Sequence, residues 1–443
     1  MFKFVLSSLM LSVTAAVAQN TAELVQKTPI ANVWAGHPVG FDFKLHKGRF
    51  YIAYYDDQRR MTVATSPIDK LEWNYHIMPS STGWDSHNYI TMTFDDDDFI
   101  HLSGNMHACP LIYFRTEKPL DITSFKRIES MTGEREKHCT YPQFMRGASN
   151  ELIFHYRDGG SGNGDEIYNV YDHKTQTWSR LLDKPLSDGK GQMNAYFAGP
   201  VVGPDGYFHL AWVWRDTPSC DTNHDLSYMK SKDMKHWETA AGTPIDLPVT
   251  LETPNLIVDP TPRTKSGMIN MGIGIGFDLQ KRIVINYHKY DEKGFSQIYN
   301  AHWENDKWNI IQTSDWDWRW EFTGGGSVPC LVQASNIYIN HEGLLAQNFR
   351  NEKKGHGIWK INPNTLKPEG FLKPPVKDKM PEGWGRMEGN FPGLGRSVRH
   401  LAGADNLHYL FVWETLGANR DRPRPEPWPE PSTLTLWIVK GNI

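Results

Sequence analysis

Two histidines stand at the outer ends of the segment Gly83–His107, GWDSHNYITMTFDDDDFIHLSGNMH. The apolar and aromatic positions of this segment predict two short strands, joined by a turn at the aspartates 95–98. Residues that face each other across a hairpin lie at equal distances from its turn, and His87 and His107 are centred on position 97. The two imidazoles are therefore predicted to be cross-strand neighbours, with Cβ atoms roughly 5 Å apart. Such a pair can transfer protons or can be purely structural.

The next stretch of the chain repeats this arrangement with a phenol and a guanidinium. Tyr141 lies in TYPQF, and Arg157 lies near the end of the strand-like run LIFHYRDGGSGNG. Their midpoint falls in the turn GASN, so they too are expected to meet across a hairpin. Tyr196, in NAYFAGP, holds the corresponding position one repeat later.

Three further polar residues hold matching positions and are predicted to bind substrate together with Tyr196. His37 lies in AGHPVGF, and Arg215 and His288 lie near the ends of later strands. A mouth lined by Arg, His and Tyr suits an anionic substrate. Elimination on a uronate needs this combination, because one group must neutralise the sugar carboxylate, a base must remove the C5 proton and an acid must protonate the departing O4.

Other common hydrolytic arrangements are not evident in the sequence. The predicted mouth lacks the two carboxylates typical of glycosidases. No Ser-His-Asp order stands out either. The chemistry indicated by the residues is proton transfer next to a neutralised carboxylate.

The elements that must position these residues read as short strands separated by Gly, Asp, Asn and Pro, with no long amphipathic helix. Seven groups of four strands recur with a period of roughly 50 to 75 residues, which is typical of a β-propeller. The inner strands are predicted to begin near His37, His87, Tyr141, Tyr196, Met271, Gly325 and Arg396. We predict an all-β, seven-bladed propeller with four antiparallel strands per blade. A two-domain sandwich is the alternative, and the Pro-rich segment 421–432 is expected to be a surface loop of the last blade.

Composition and the chain start restrict the class of protein. The formal net charge of -4 gives no basic field, so nucleic acid is not expected as a partner. Residues 1–18 combine Lys3, an apolar run and the sequence Ala-Val-Ala, the pattern of a signal peptide. No later run approaches the roughly 20 apolar residues of a membrane span. We expect a secreted or periplasmic protein whose residues 19–443 form a single propeller domain.

A second candidate site concerns metal binding. Cys220 and His224 lie four residues apart in CDTNHD, and His209 lies on the preceding strand. These three residues are a candidate structural zinc or calcium site, although a buried thiol would also explain Cys220. The four cysteines of the chain allow three disulfide connectivities, and their spacing does not choose among them.

Several longer motifs carry a family resemblance that covers about residues 30 to 400. They are GHPVGF, WDSHNYITM, SGNMH, PLIYFRT, TYPQF, YRDGGSGNG and DWDWRWEF. Together they resemble the propeller polysaccharide lyases that cut ulvan, and equally a sister branch of propeller α-L-rhamnosidases acting on arabinogalactan. Both branches attack an L-rhamnose-α-1,4-D-glucuronate bond, so an acidic polysaccharide or oligosaccharide containing these sugars is the implied partner. Sialidase-like propellers are less similar, because their S-x-D-x-G-x-x-W turns are absent from the sequence.

The resemblance also implies site residues and roles. The lyase pattern maps onto His87, His107, Tyr141 and Arg157 as catalytic residues, and less directly onto Tyr196. Arg157 and His107 would neutralise the carboxylate, while Tyr141 and His87 would transfer protons in an order left open. No cofactor is expected for catalysis. The expected function is lyase; a rhamnosidase relying on His37, and a glycan-binding propeller without catalysis, are the alternatives.

Overall fold

The computed structural model describes residues 20–443, so the predicted signal peptide at residues 1–18 lies outside the described part of the chain. Thirty strands and three one-turn 3₁₀ helices make up the regular structure of this part. The helices are Ile122–Ser124, Cys220–Thr222 and Asn270–Gly272. Within residues 20–443 no helix has the length and apolar character needed to cross a membrane. The prediction of an all-β protein is confirmed.

The strands form seven antiparallel sheets over the described residues. The sheets are numbered here by the order of their hairpins along the chain, so that β1 belongs to sheet 7. Sheet 1 contains β2 (Asp42–His46), β3 (Arg49–Tyr55), β4 (Arg60–Pro67) and β5 (Asn74–Ser81). Sheet 2 contains β6 (Ile90–Phe94), β7 (Ile100–Gly104), β8 (Tyr113–Thr116) and β9 (Phe125–Arg127). Sheet 3 contains β10 (Cys139–Arg146), β11 (Leu152–Gly160), β12 (Asn163–Asp172) and β13 (Thr177–Arg180).

The remaining four sheets follow in the same order along the chain. Sheet 4 contains β14 (Asn194–Val202), β15 (Phe208–Arg215), β16 (Asn223–Ser231), β17 (Trp237–Glu238) and β18 (Ile257–Asp259). Sheet 5 contains β19 (Gly274–Phe277), β20 (Ile283–Tyr290), β21 (Ser296–Glu304) and β22 (Lys307–Gln312). Sheet 6 contains β23 (Val332–Ala334), β24 (Tyr338–Ile339), β25 (Leu345–Asn351), β26 (Gly355–Ile361) and β27 (Pro368–Leu372). Sheet 7 contains β1 (Glu23–Val33), β28 (Leu394–Ala402), β29 (Leu407–Leu416) and β30 (Ser432–Lys440).

Sheet 7 joins the two ends of the described chain. Strand β1 pairs antiparallel with β30, from Glu23 opposite Lys440 to Val33 opposite Ser432. Every other sheet is built from strands consecutive in sequence. The sequence patterns predicted four-stranded groups but did not predict that the fourth strand of the last group comes from the N-terminal side.

Successive sheets from sheet 1 to sheet 6 pack against one another. The first strand of sheet 2, β6, contacts both β2 and β10, β14 contacts β12 and β19, and β20 contacts β23. Strand β28 contacts β2, which brings sheet 7 back to sheet 1. Aromatic rings fill this last junction: Phe41 stacks on Trp413 with ring centroids 4.8 Å apart, and Phe43 stacks on Phe411 at 4.6 Å. Such pairs add about 0.5–1.5 kcal/mol each beyond the apolar area they bury.

The hairpin expected around position 97 is present. Strands β6 and β7 pair with Ile90 opposite Gly104, which is the register that the two histidines require. Asp95 organises the turn, because its Oδ1 accepts hydrogen bonds from the backbone N–H groups of Asp97 (3.0 Å) and Phe99 (2.8 Å). The short polar side chain therefore replaces the missing ladder partners, as is usual for Asp in turns.

Candidate active site

A single carboxylate holds both histidines. Asp85 accepts hydrogen bonds from Nδ1 of His87 at 2.7 Å and from Nδ1 of His107 at 2.5 Å. The backbone N–H of His87 also donates to Asp85, at 2.9 Å. The two rings lie 4.5 Å apart between centroids and keep about a quarter of their side-chain surface exposed. The predicted pairing of the two imidazoles is thus present just beyond the strand ends.

This arrangement sets the proton positions. A carboxylate can only accept, so each Nδ1 carries the proton and each Nε2 remains available to a ligand. Burial would raise the pKa of Asp85, but the hydrogen bonds from His107 and His87 outweigh it and hold that pKa far below its usual range. The carboxylate oxygen and the ring nitrogens lie within 4.8 Å of one another, the one group of three among the described residues that could hold a metal ion.

Tyr141 lies at a bulge in strand β10. The register between β10 and β11 shifts between Thr140 and Gln143, and Tyr141 has a left-handed backbone with φ of 57°. A bulge changes the direction of a side chain relative to the regular pleat. The phenol ring consequently lies 5.7 Å from the ring of His87 and 6.3 Å from that of His107.

Arg157 carries the most unusual environment of the site. The residue is 2% exposed, and its Nη1 and Nη2 find no hydrogen-bond partner among the described residues. Only Nε donates, to the carbonyl of Gly159 at 3.3 Å. The guanidinium lies 4.8 Å from the centroid of the Tyr141 ring and 5.3 Å from that of Tyr196. A buried cation with two free N–H edges is costly to the fold unless a ligand supplies the anion.

Tyr196 lies between two arginines at the start of sheet 4. Its hydroxyl is 2.8 Å from Oγ of Ser161 and accepts a hydrogen bond from Nη1 of Arg215 at 3.3 Å. The other nitrogens of Arg215 donate to backbone carbonyls of the following loop, for example to Pro218 at 2.5 Å. Arg215 is 7% exposed and donates to the hydroxyl of Tyr196, and its predicted contact with substrate stays a prediction.

The two tyrosines differ in acidity although both are largely buried. Burial raises the pKa of Tyr141 well above its usual range, and Tyr196 adds to the rise. Burial would also raise the pKa of Tyr196, but the charges of Arg157 and Arg215 outweigh it, so that this pKa is lowered. Tyr141 therefore suits a proton donor, whereas Tyr196 is the more easily ionised phenol.

A loop from sheet 7 closes over this group. We call residues 417–431, between β29 and β30, the strap. Oδ1 of Asp421 accepts from the N–H and the hydroxyl of Ser86 at 3.1 and 2.6 Å, and its Oδ2 accepts from the N–H of Ser327 at 2.8 Å. The same Oδ2 lies 3.4 Å from Nδ1 of His87. The Pro-rich surface loop expected from the sequence therefore contacts a predicted catalytic residue.

Two predicted substrate-binding histidines are buried, and a role in substrate binding stays a prediction for both. His37 is 2% exposed, and its Nδ1 accepts a hydrogen bond from Nε1 of Trp34 at 2.8 Å. His288 is also 2% exposed, because Trp320 of the motif DWDWRWEF packs 5.3 Å from its ring. Burial lowers the pKa of each to about 4, so both rings are neutral at ordinary pH.

The metal site predicted at Cys220, His224 and His209 is wrong, because the fold separates these residues. His209 lies opposite Lys230 and His224 opposite Trp214 in the same strand pair, five positions or about 17 Å apart. Both rings are already hydrogen-bonded to nearby aspartates. Cys220 is buried in an apolar cluster instead. All four cysteines of the chain are free thiols in the structure.

The structure adds two acidic residues that the sequence analysis did not select. Asp85 had a usable signal, since an aspartate two residues before a histidine can accept the backbone N–H of that histidine. Asp421 had none, because it lies 334 positions from His87 in a Pro-rich loop. Arg157, Tyr141, Tyr196 and the two paired histidines do come together, as expected.

A comparison with known protein families places this group in context. The family described as BNR repeat-containing family member matches residues 49–316, more than half of the chain. The chain belongs to the BNR repeat-containing family. The matched region of this BNR repeat-containing protein includes the histidine pair, Tyr141, Arg157 and Tyr196.

Curated relatives of this BNR repeat-containing protein are ulvan lyases. One segment is 31% identical over 132 residues to the long isoform of the ulvan lyase of Glaciecola sp. (strain KUL10), covering 26% of this chain and 13% of that protein. Another is 40% identical over 72 residues to the short isoform of the ulvan lyase of Alteromonas sp. (strain LOR), covering 15% of this chain and 14% of the relative. The matches thus span about one seventh of each relative.

Solved structures share the fold over nearly the whole chain. The crystal structure of polysaccharide lyase Uly1 aligns with a TM-score of 0.58 at 14% identity, covering 94% of this chain and 99% of the other. A PL25 ulvan lyase bound to -[GlcA(1-4)Rha3S]- aligns with a TM-score of 0.55 at 12% identity, covering 89% and 97%. At these identities the likeness concerns the fold. The resemblance to ulvan lyases expected from the sequence motifs is confirmed, whereas the resemblance to propeller α-L-rhamnosidases stays a prediction.

Proposed function

We propose that this protein is a polysaccharide lyase that cleaves the L-rhamnose-α-1,4-D-glucuronate bond of an ulvan-like polysaccharide by β-elimination. The observation that carries the proposal is the buried guanidinium of Arg157, whose two free nitrogens lie beside Tyr141 and Tyr196. Such a fork matches the two oxygens of a uronate carboxylate. The ulvan lyases among the relatives support the same substrate class.

The proposed reaction assigns one task to each group. Arg157 binds the carboxylate together with the Nε2–H of His107 in its imidazolium form, and both stabilise the negative charge that develops when the C5–H bond breaks. His87 takes the C5 proton on its Nε2, because Asp85 fixes its Nδ1–H. The electron pair forms the C4=C5 double bond, the C4–O4 bond breaks, and the raised pKa of Tyr141 keeps its hydroxyl protonated for transfer to O4.

A cavity borders the residue that precedes His87 in the chain. The cavity, of about 380 Å³, borders Ser86 and is lined by Gly40, Arg399 and Trp413. We further infer that the seven sheets are the blades of one seven-bladed propeller over residues 19–443 and that the protein is exported. The sheet order and the contact between sheets 7 and 1 support the first inference.

The experiment compares two polysaccharides and two products. Purified protein is incubated separately with ulvan and with gum arabic, while the ultraviolet absorbance of an unsaturated uronate and the release of free rhamnose are recorded together. A lyase gives absorbance on ulvan without free rhamnose. Tyr141→Phe is expected to remove this signal. The matched control Tyr338→Phe removes a hydroxyl that is bonded to Asn348 at the surface of sheet 6 and is expected to retain the signal. Free rhamnose without absorbance, or no product at all, would refute the proposal.

A further inference from the structure

Three tryptophans form three sides of a box around one guanidinium. The Cζ atom of Arg59 lies 3.9 Å from the ring centroid of Trp34, 4.6 Å from that of Trp84 and 5.0 Å from that of Trp428. The three indoles meet at steep angles, with interplanar angles of 79° for Trp34–Trp84 and 82° for Trp34–Trp428. We call this group the tryptophan box. Stacking of this kind stabilises a guanidinium while leaving its N–H edge free.

The charge of Arg59 is not neutralised by the protein. Its side chain makes no hydrogen bond or ion pair with any residue of the range 20–443, and only its backbone groups are bonded. Burial lowers its pKa, and no carboxylate opposes this effect. Asp57 and Glu426 lie at the rim of the same cavity but are exposed and do not pair with it. An arginine that is held by stacking and has no acceptor within the protein can donate its N–H groups to an anionic ligand.

The tryptophan box opens into a cavity. A space of about 490 Å³ is lined by Trp34, Arg59 and Trp428, together with prolines of the strap. Trp428 is 38% exposed, so part of its indole is open to a ligand. A flat aromatic surface next to a free guanidinium is a suitable surface for a sugar ring that bears an anionic group.

The cavity and the candidate active site share two segments. Trp84 immediately precedes Asp85, the carboxylate that holds both histidines. The strap carries Asp421 to His87 and Trp428 to Trp84, whose ring centroids lie 5.4 Å apart. Trp84 and His87 are three residues apart, a Cα separation of at most about 11 Å. Neighbouring residues of one polysaccharide chain can bridge such a distance.

We propose that the tryptophan box is a second binding site for the substrate polysaccharide, in which Arg59 binds the anionic group of a neighbouring sugar residue and Trp428 stacks on its ring. The proposal rests on the proposed function for the identity of the chain that is bound. A sulfate ester and a carboxylate share the required chemistry, since each offers two oxygens to the guanidinium fork.

The test measures affinity without turnover. All variants are made in a Tyr141→Phe background and run in native gels containing ulvan or chemically desulfated ulvan, where retardation reports the dissociation constant. Arg59→Gln and Trp428→Ala are each expected to weaken binding about tenfold, which equals about 1.4 kcal/mol. Arg59→Lys retains the charge without the planar fork, and its dissociation constant is expected to lie between those of the parent and of Arg59→Gln. The matched control Arg350→Gln removes an exposed arginine of sheet 6 and should bind like the parent.

The two polysaccharides identify the anion. A loss confined to the sulfated polymer assigns a sulfate ester to Arg59, and a loss on both polymers assigns a carboxylate. Affinity within twofold of the parent for Arg59→Gln and Trp428→Ala would overturn the proposal. A lower Tm in both Arg59 variants with unchanged affinity would also overturn it, because Arg59 would then only hold the strap. Since retardation does not depend on product formation, failure of the lyase assay is a separate result.

Discussion

Replacing Arg157 should separate stability from activity. The change Arg157→Met removes a guanidinium that is 2% exposed and whose Nη1 and Nη2 have no partner among the described residues. Loss of an unpaired buried charge is neutral or stabilising for the fold. We therefore expect the Tm of the variant to equal or exceed that of the wild-type protein, in contrast to most substitutions of buried residues.

The loss of activity follows from the bonds that the guanidinium can make. Two hydrogen bonds to a carboxylate, at about 1.5–3 kcal/mol each, amount to about 3–6 kcal/mol. At about 1.4 kcal/mol per tenfold change in rate, kcat/KM should fall by about 10²- to 10⁴-fold. The charge of Arg157 also lowers the pKa of Tyr196, so the variant removes that effect as well.

The assay is the initial rate of ultraviolet absorbance on ulvan, with thermal unfolding measured on the same samples. Arg157→Lys keeps the charge but not the fork and should recover only part of the activity. Arg115→Gln is the matched control, since this arginine of sheet 2 is bonded to Tyr171 and Gln176 and to none of the site residues. Retention of more than a tenth of wild-type kcat/KM by Arg157→Met at an unchanged Tm would refute the assignment.

Three further predictions concern the groups around Arg157. Asp85→Asn replaces one of the two acceptor oxygens with a donor, so the two imidazoles lose their common hydrogen-bond acceptor. We expect kcat to fall about 100-fold or more and the imidazole proton resonances to shift in NMR spectra. Unchanged resonances would contradict the shared hydrogen bonds. Arg215→Met removes one of the two cations that stabilise the phenolate of Tyr196, so the pKa of this phenol should rise and its ultraviolet titration should move to higher pH. An unshifted titration curve would show that Arg215 does not lower the pKa of Tyr196. Gly164→Ala places a Cβ atom 2.8 Å from Cγ and Cδ of Arg157, so the guanidinium should be displaced. We expect kcat/KM to fall about tenfold or more while the circular dichroism spectrum stays unchanged. Full activity would mean that the side chain of Arg157 can adjust.

Much of the fold could be predicted from local patterns. Hairpin symmetry about a turn located His87 beside His107, because the β6–β7 register depends on turn residues that are visible in the sequence. The same symmetry argument was less accurate for the position of Tyr141 relative to Arg157. Its strand contains a bulge, and the sequence does not show where an extra residue is accommodated. The strand pattern also placed Tyr196 and Arg157 at one end of neighbouring sheets.

The errors come from interactions between segments distant in sequence. His288 occupies the predicted strand position, but the segment containing Trp320 covers it. Cys220 and His224 lie close in sequence, yet spacing alone did not show that His209 faces the opposite end of the strand pair. Asp421 reaches the site through a loop whose path depends on tertiary contacts. Burial and loop paths are tertiary properties that spacing does not encode.

The pairing of β1 with β30 gives the ends of the chain a role in biosynthesis. During translation, Glu23–Val33 is made long before Ser432–Lys440, the strand that supplies its hydrogen-bonding partners. At about 5–20 residues per second this interval is on the order of tens of seconds. An unpaired strand is open to association with other chains throughout that time.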